Sequence, residues 1–323
     1  MQEVPMSEGR RTEMRRYRTV VCDSARWEGF SFRDDDIVIS TPPKCGTTWM
    51  QMLCALLIFQ DPSLPRPLTE ISPWLDMLTN DIDNIARSLD DQEHRRFIKT
   101  HTPLDGLPRD ADITYISVGR DPRDVALSMD HHIDNIDFDA LLRARETAVG
   151  LGDLGEVLTH AAETPRSDDL RERFWAWVDN PESPTDQISS LRSTLHHLDT
   201  FWQERNNPNI VLFHYEDLQA DLAGEMRRLA DALGIEVPAT RWCELAEAAT
   251  FDRMKNNAGD LAPDVTNRIW RDTGEFFHRG VSGQWREMLD DQDLRRYRDQ
   301  VDELADADLA QWAHAGWRDT HPW

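Results

Sequence analysis

The feature that most constrains the fold of this chain is the run STPPKCGTTW at residues 40–49. It lies between a β-branched run at residues 36–39 and an apolar run at residues 50–59. A strand, a tight turn and a helix N-terminus can bind a phosphate-like anion, because the first helix amides have no internal partner and the helix dipole adds partial positive charge. In a Walker A loop the lysine directly follows the second glycine, whereas here Lys44 precedes Gly46. The sequence therefore predicts an anion-binding unit that differs from a Walker A loop.

Composition narrows the class of protein. The 323 residues are 39% hydrophobic and 30% charged, which is enough for one large α/β domain or two small ones. The N-terminus lacks the apolar core of a signal peptide, and the longest apolar run is shorter than the roughly 20 residues of a membrane span. A net charge of −24 argues against a nucleic-acid partner, and four cysteines without a Cys-x-x-Cys pair argue against structural zinc. We therefore expect a cytoplasmic protein with no transmembrane segment.

Strand and helix patterns alternate along the chain. Short β-branched or aromatic runs predict strands at residues 36–40, 96–100, 113–118 and 209–215. Helical patterns lie at residues 48–59, 123–132, 191–205 and 222–233. Strands separated by helices pair in parallel through right-handed crossovers, and such α/β folds bind ligands at the carboxyl ends of their strands. We therefore expect a binding site where these strands end.

Two further polar segments begin at predicted strand ends. Lys99 and His101 follow the second strand, and Arg120 and Ser128 follow the third. A histidine can take up and release a proton near neutral pH, and an arginine binds phosphate with two parallel hydrogen bonds. On the residues alone, alternatives stay open: a hydrogen-bonded structural histidine, and a solvated ion-pair cluster at residues 120–124.

These segments, in order, resemble the motifs of the cytosolic-type sulfotransferases. The first motif is usually close to Thr-Tyr-Pro-Lys-Ser-Gly-Thr-Thr-Trp, from which this chain departs at Pro42 and Cys45. Residues 72–76 and 95–107 are most similar to the bacterial branch that includes glycolipid sulfotransferases. The resemblance implies a P-loop-like three-layer α/β fold with a central parallel sheet flanked by helices. It also implies 3′-phosphoadenosine 5′-phosphosulfate (PAPS) as the sulfuryl donor, adenosine 3′,5′-bisphosphate (PAP) as the product, and no metal.

The resemblance also assigns roles to residues. His101 corresponds to the catalytic base, Lys44 to the cation that neutralises the departing phosphate, and Lys99 to a cation near the sulfuryl group. The implied donor-binding residues are Lys44, Cys45, Gly46, Thr47, Thr48, Trp49, Arg120, Ser128, Tyr215, Thr250, Phe251, His278, Arg279 and Gly280.

Two departures from the family pattern concern the donor site. Cys45 replaces the usual serine, and a thiol at a helix N-terminus beside a lysine should have a lowered pKa and be the most reactive of the four cysteines if it is accessible. The alternative is a small residue that packs against the loop and is inert. His278 and Arg279 replace an arginine and a lysine, so the 3′-phosphate half of the site loses one permanent charge.

The remaining segments give predictions about organisation. We expect one domain over residues 1–323, with its core at 37–285 and a helical C-terminal segment at 286–323. Within that segment, residues 299–312 have helical spacing and predict a helix that docks on the core. Residues 133–187 are irregular in pattern and predict an insertion on the acceptor side. The adjacent histidine pairs at 131–132 and 196–197 point in different directions on a helix, so each pair is a poor metal ligand.

The sequence thus predicts a sulfotransferase that acts on a hydroxyl of a small molecule or glycolipid. Two alternatives stay open. One is a magnesium-dependent P-loop nucleotide kinase, although the chain has no Walker A pattern. The other is a non-catalytic nucleotide-binding protein, although binding alone has no need for a base at His101. The acceptor and the oligomeric state are left open.

Overall fold

The computed structural model describes residues 14–155, 166–263 and 265–318. A four-stranded parallel sheet lies at its centre in the order β2-β1-β3-β4. Its strands are β1 (Ile37–Ser40), β2 (Phe97–Thr100), β3 (Thr114–Gly119) and β4 (Ile210–His214). The four predicted strands are therefore confirmed to within one residue at each end.

The α-helices account for most of the remaining regular structure. In chain order they are α1 (Thr47–Phe59), α2 (Leu68–Ile71), α3 (Ile82–Asp90), α4 (Pro122–Asn135), α5 (Phe138–Val149), α6 (Leu170–Val178), α7 (Leu191–Trp202), α8 (Tyr215–Ala220), α9 (Leu222–Leu233), α10 (Trp242–Ala248), α11 (Phe251–Asn256), α12 (Ala258–Leu261), α13 (Asp291–Asp302) and α14 (Ala307–Ala315). The four predicted helices correspond to α1, α4, α7 and α9. Each begins within one residue of its predicted start.

The sheet is covered on both faces, which makes three layers. Alternate residues of a strand point to opposite faces. In β1, Val38 packs with α7, α13 and α14, whereas Ile37 and Ile39 pack with α1 and α9. Burial on both faces explains why the strands read as continuous apolar runs rather than alternating ones. The predicted three-layer P-loop-like α/β fold is confirmed.

Residues 133–187, whose sequence pattern is irregular, are largely helical in their described part. This segment contains the end of α4, all of α5 and all of α6, whereas its residues 156–165 lie outside the described part of the chain. Aspartates start both new helices: Asp137 accepts the Ala140 amide, and Asp169 accepts the Arg171 amide. The apolar face of each helix is short, so the helical spacing of apolar residues is weak in the sequence. The capping aspartates are nevertheless visible there.

The predicted helix at residues 299–312 is two helices, α13 and α14. Its break lies at Asp306, whose extended backbone (φ −64°, ψ 152°) cannot continue a helix. The prediction that this segment packs on the core is confirmed, because Val301, Leu309 and Trp312 are buried there. Residues 319–323 of the predicted C-terminal segment lie outside the described part. Among the described helices, none has the length and apolar character that a membrane span requires.

Candidate active site

A cleft of about 1160 Å³ opens at the carboxyl ends of the strands, where such folds bind ligands. Its wall brings together every predicted site residue except Cys45. These residues are Lys44, Gly46, Thr47, Thr48, Trp49, Lys99, His101, Arg120, Ser128, Tyr215, Thr250, Phe251, His278, Arg279 and Gly280. Residues that are up to 236 positions apart in sequence thus share one cavity.

The loop between β1 and α1 has the backbone that an anion site needs. Lys44 and Gly46 have positive φ angles of 69° and 99°, a left-handed conformation that favours glycine. A Cβ atom on Gly46 would lie only 3.2 Å from the Tyr215 ring, so glycine also allows this ring to pack closely against the loop. Gly46 is the N-cap of α1, and because it has no side chain it makes no capping hydrogen bond to the first amides of the helix. Those amides stay available to a ligand.

Three cations crowd the floor of the cleft. Burial, Arg120 and Lys99 together lower the pKa of Lys44 to about 7. The Arg120 guanidinium donates to the Lys44 carbonyl at 3.0 Å and lies 4.2 Å above the Tyr215 ring. Its buried Nε has no hydrogen-bond partner among the described residues. An anionic ligand would offset the repulsion among these cations and would give the Arg120 Nε–H an acceptor, so the cluster fits an anion.

His132 is a site residue that the sequence reasoning missed. Its Nδ1 lies 3.2 Å from Lys44 Nζ, and its ring lies 4.9 Å from the Trp270 ring. Burial and the Lys44 charge lower the pKa of His132 well below its usual range, so its imidazole is neutral and Nδ1 can accept a hydrogen bond from the Lys44 ammonium. Residues four apart lie on the same face of a helix. The spacing of His132 from Ser128 could therefore have predicted that His132 faces the same site.

His101 has one defined tautomer. Its Nδ1 lies 2.7 Å from the Thr41 carbonyl oxygen, and because a carbonyl only accepts, Nδ1 carries the proton. Nε2 then has a free lone pair. Burial and Lys99 lower the pKa of His101 well below its usual range, so the imidazole is neutral at pH 7. A neutral imidazole with an open Nε2 is the form that a general base needs.

Trp74 supports both residues of the Lys-x-His motif and was not predicted as a site residue. Lys99 Nζ lies 4.3 Å above its ring, and the His101 ring meets it edge-on at 4.7 Å. The indole Nε1 of Trp74 donates to the buried Asp76 carboxylate at 2.6 Å. This carboxylate also accepts hydrogen bonds from Trp27, Thr100 and Thr102, and burial raises its pKa.

We expect Asp76→Asn to destabilise the protein. An asparagine has one acceptor oxygen and an amide donor, so it cannot satisfy the four donors that converge on Asp76. An unmet buried donor costs about 1–3 kcal/mol. Urea unfolding measures the change, and Asp112→Asn, at an exposed aspartate, is the matched control. Equal unfolding midpoints for the two variants would show that this network contributes no stability.

Aromatic residues form the other end of the donor region. Trp49 donates from Nε1 to the Ala249 carbonyl at 2.9 Å and meets Tyr215 edge-on at 5.3 Å. Gly280 has φ 64°, and a Cβ atom there would lie 2.3 Å from the Phe251 ring. Trp49, Tyr215 and Phe251 all line the cleft, so this part of it offers aromatic rings that can stack on a base.

The loop that carries Gly280 is tied to α4. The Asp124 carboxylate accepts the amides of Gly283 and Gln284 at 2.7 and 3.1 Å. Burial and the neighbouring Asp121 raise the pKa of Asp124 to about 6. Lys255 donates to the His278 carbonyl at 2.9 Å. The 278–285 loop therefore holds its place against the helix that carries Ser128.

Of the two interpretations of Cys45, the structure favours the residue that packs against the loop. Its side chain is fully buried and does not line the cleft. Burial raises the pKa of this thiol, and the nearby Arg120 offsets only part of the effect. The cost of charging a buried group outweighs the positive surroundings, so the alternative of a packed, inert residue holds.

Apolar residues supply much of the rest of the cleft lining. They include Val20, Val21, Met77, Phe138, Leu141, Leu170, Trp177, Ile188, Ile269, Trp270 and Met288. Four of these, on α5 and α6, belong to the 133–187 segment. Phe138 and Leu170 are 47% and 40% exposed, so the apolar wall extends to the rim. This chamber can take an apolar molecule beside His101.

Comparisons with known proteins place the chain in one family. A family model described as "Sulfotransferase domain" matches residues 34–310. The glycolipid sulfotransferase of Mycobacterium tuberculosis (strain ATCC 25177 / H37Ra) is 42% identical over 314 residues, covering 95% of this chain and 96% of its own. Retinol dehydratase, solved with androsterone and PAP, has a TM-score of 0.65 at 22% identity and covers 87% of this chain and 83% of its own. A mouse sulfotransferase solved with PAP has a TM-score of 0.63 at 20% identity and covers 90% of each chain.

Proposed function

The chain belongs to the sulfotransferase family, and we propose that it moves the sulfuryl group of PAPS to a hydroxyl of a glycolipid or a smaller apolar acceptor. One observation carries this proposal. A neutral histidine with an open Nε2, a cluster of buried cations and an apolar chamber share a single cleft. The solved relatives with this fold hold PAP, which supports PAPS as the donor here.

The donor would lie along the β1–α1 loop. We propose that Lys44 and the amides of residues 46–48 hold the 5′-phosphosulfate, since both offer positive charge to an anion. Arg120 and Ser128 would hold the 3′-phosphate, and the orphaned Nε of Arg120 supports this role. The adenine would stack on the aromatic rings of Trp49 and Phe251, which line the same cleft.

The reaction would be an in-line transfer. His101 Nε2 removes the proton of the acceptor hydroxyl while the new oxygen–sulfur bond forms. The bond between sulfur and the 5′-phosphate oxygen breaks, and the electron pair stays on that oxygen. Lys44 and the loop amides stabilise the charge that develops there, and Lys99 faces the sulfuryl oxygens. Positioning by the cleft supplies the rest of the rate enhancement.

The acceptor class follows from the apolar chamber. The mycobacterial relative is named a glycolipid sulfotransferase, and apolar residues of α5 and α6 line the same cleft as His101. A lipid chain would lie against this wall, with its sugar hydroxyl at the histidine. We propose a glycolipid acceptor on this basis.

An acceptor screen with labelled PAPS tests the function. We expect labelled product from glycolipids, without added magnesium and in the presence of EDTA. The kinase alternative predicts transfer from ATP that requires magnesium. The non-catalytic alternative predicts saturable PAP binding but no product from glycolipids, phenols, steroids or alcohols. Either of these two results would overturn the proposal.

The affinity for PAP should fall as pH rises above about 7. Lys44 in the free protein has a pKa of about 7, and a bound phosphate raises this pKa, so binding above pH 7 takes up a proton. We expect about a tenfold loss of affinity per pH unit, because Lys44 must be protonated before it binds. Calorimetry between pH 7 and 9 measures this.

Lys44→Arg provides the matched control for this pH dependence. Its guanidinium stays charged throughout the range, so its PAP affinity should vary far less with pH. A parent protein whose affinity is flat from pH 7 to 9 would contradict the prediction.

We further propose that the chain acts as one sulfotransferase domain in the cytoplasm. The family model spans residues 34–310 without interruption, which supports a single domain. The cysteines Cys22, Cys45, Cys54 and Cys243 are all free, and three are buried, which supports a reducing compartment.

A further inference from the structure

A second polar cluster lies at the edge of the cleft. Ring nitrogens of His131 and His278 each lie 3.6 Å from the same oxygen of the Glu275 carboxylate. The two imidazole rings face each other, with 3.7 Å between their centroids and 31° between their planes. The proposed transfer reaction leaves His131 and Glu275 without a role.

These distances are longer than direct hydrogen bonds. An N–H···O bond is about 2.7–3.2 Å long, whereas two ligands of a tetrahedral zinc ion, each bound at about 2.0–2.2 Å, lie about 3.4 Å apart. Both histidine–carboxylate separations are close to this value, and the three ligand atoms lie within 4.8 Å of one another. His131 Nε2 also lies 3.2 Å from the Glu275 carbonyl oxygen, and a metal would replace this contact and its proton.

Backbone contacts hold the cluster together. Asn135, one turn after His131 on the same face of α4, exchanges two hydrogen bonds with the backbone of Asp272, at 2.8 and 2.9 Å. The Arg271 amide also donates to the Asn135 carbonyl at 2.8 Å. These bonds fix the 271–278 segment against α4, so the three side chains meet with little loss of conformational freedom.

We propose that His131, Glu275 and His278 bind a divalent transition-metal ion of the zinc class. Two imidazole nitrogens and one carboxylate oxygen suit zinc and its neighbours, whereas magnesium and calcium prefer oxygen ligands alone. Both imidazoles line the cleft, so water or a ligand in the cleft can complete the coordination. The net charge of −24 favours the approach of a cation.

Titration of the untagged, chelator-treated full chain with Co²⁺ and Zn²⁺ tests the site. Calorimetry should give one ion per chain, and cobalt should give the visible absorption of a low-symmetry N,O site. Glu275→Gln and His131→Asn should each weaken binding more than tenfold, because each removes a ligand. Glu204→Gln is the matched control, since this side chain is 47% exposed against 48% for Glu275, and its carboxylate lies 3.6 Å from a cation, Arg109.

A second readout separates ligand loss from misfolding. A metal that binds the folded chain raises its melting temperature, and this rise should vanish in the two ligand variants but not in Glu204→Gln. Melting without metal reports whether each variant folds, and the two substitutions test the site independently. No saturable binding by the parent, or equal binding by parent and ligand variants, would overturn the proposal.

Discussion

His101→Ala should lower turnover by about 10²–10⁴-fold, the contribution expected of a general base, with little change in PAP affinity. The imidazole is neutral because burial and Lys99 lower its pKa, and its Nδ1 donates to the Thr41 carbonyl, which leaves Nε2 to take the acceptor proton. Initial rates at saturating donor and acceptor measure the loss, and calorimetry with PAP measures donor affinity.

Two further variants separate the chemical role of His101 from a structural one. His101→Asn can still donate to the Thr41 carbonyl but cannot take up a proton, so it should be as slow as the alanine variant. His94→Ala, at a histidine that does not line the cleft, should turn over normally. Added imidazole should partly restore His101→Ala. Near-parental turnover of either His101 variant would remove this residue from the role of base.

Much of the fold could be predicted because its signals are local. The strands are short β-branched runs buried on both faces, and helices such as α9 have a clear apolar stripe. The helices α5 and α6 were missed because their stripes are short, although Asp137 and Asp169 cap them. The break at Asp306 was not predicted because the helical spacing of apolar residues continues across it, although the helical backbone is interrupted there.

The site was predictable where a motif carried it and not where remote residues met. The two interpretations of Cys45 stayed open because sequence shows the charges beside a thiol but not the burial of its side chain in a tight turn. Trp74 contacts Lys99 and His101, which lie 25 and 27 positions away, and His132 contacts Lys44, which lies 88 positions away. The 131–132 pair does diverge, as predicted. His131 finds its partners more than 140 positions along the chain.

Arg120→Ala should reduce the preference for PAPS over adenosine 5′-phosphosulfate, which lacks the 3′-phosphate. The buried guanidinium lies over Tyr215, and its Nε has no hydrogen-bond partner within the described residues, so a bound phosphate would supply the missing acceptor. A charge-assisted hydrogen bond of this kind contributes roughly 1.5–3 kcal/mol, or about ten- to a hundredfold in affinity. The parent should show a preference of that size between the two donors, and the variant should lose most of it.

The ratio of kcat/KM for the two donors is the decisive measurement, because Arg120 also donates to the Lys44 carbonyl and its loss can disturb the loop for both donors equally. Arg120→Lys should keep part of the preference, since it retains a charge but not the two-pronged geometry. Arg109→Ala, at an arginine that does not line the cleft, should leave the ratio unchanged. If Arg120→Ala discriminates between the donors as well as the parent does, the 3′-phosphate lies elsewhere in the cleft, and His278 and Arg279 become the residues to test.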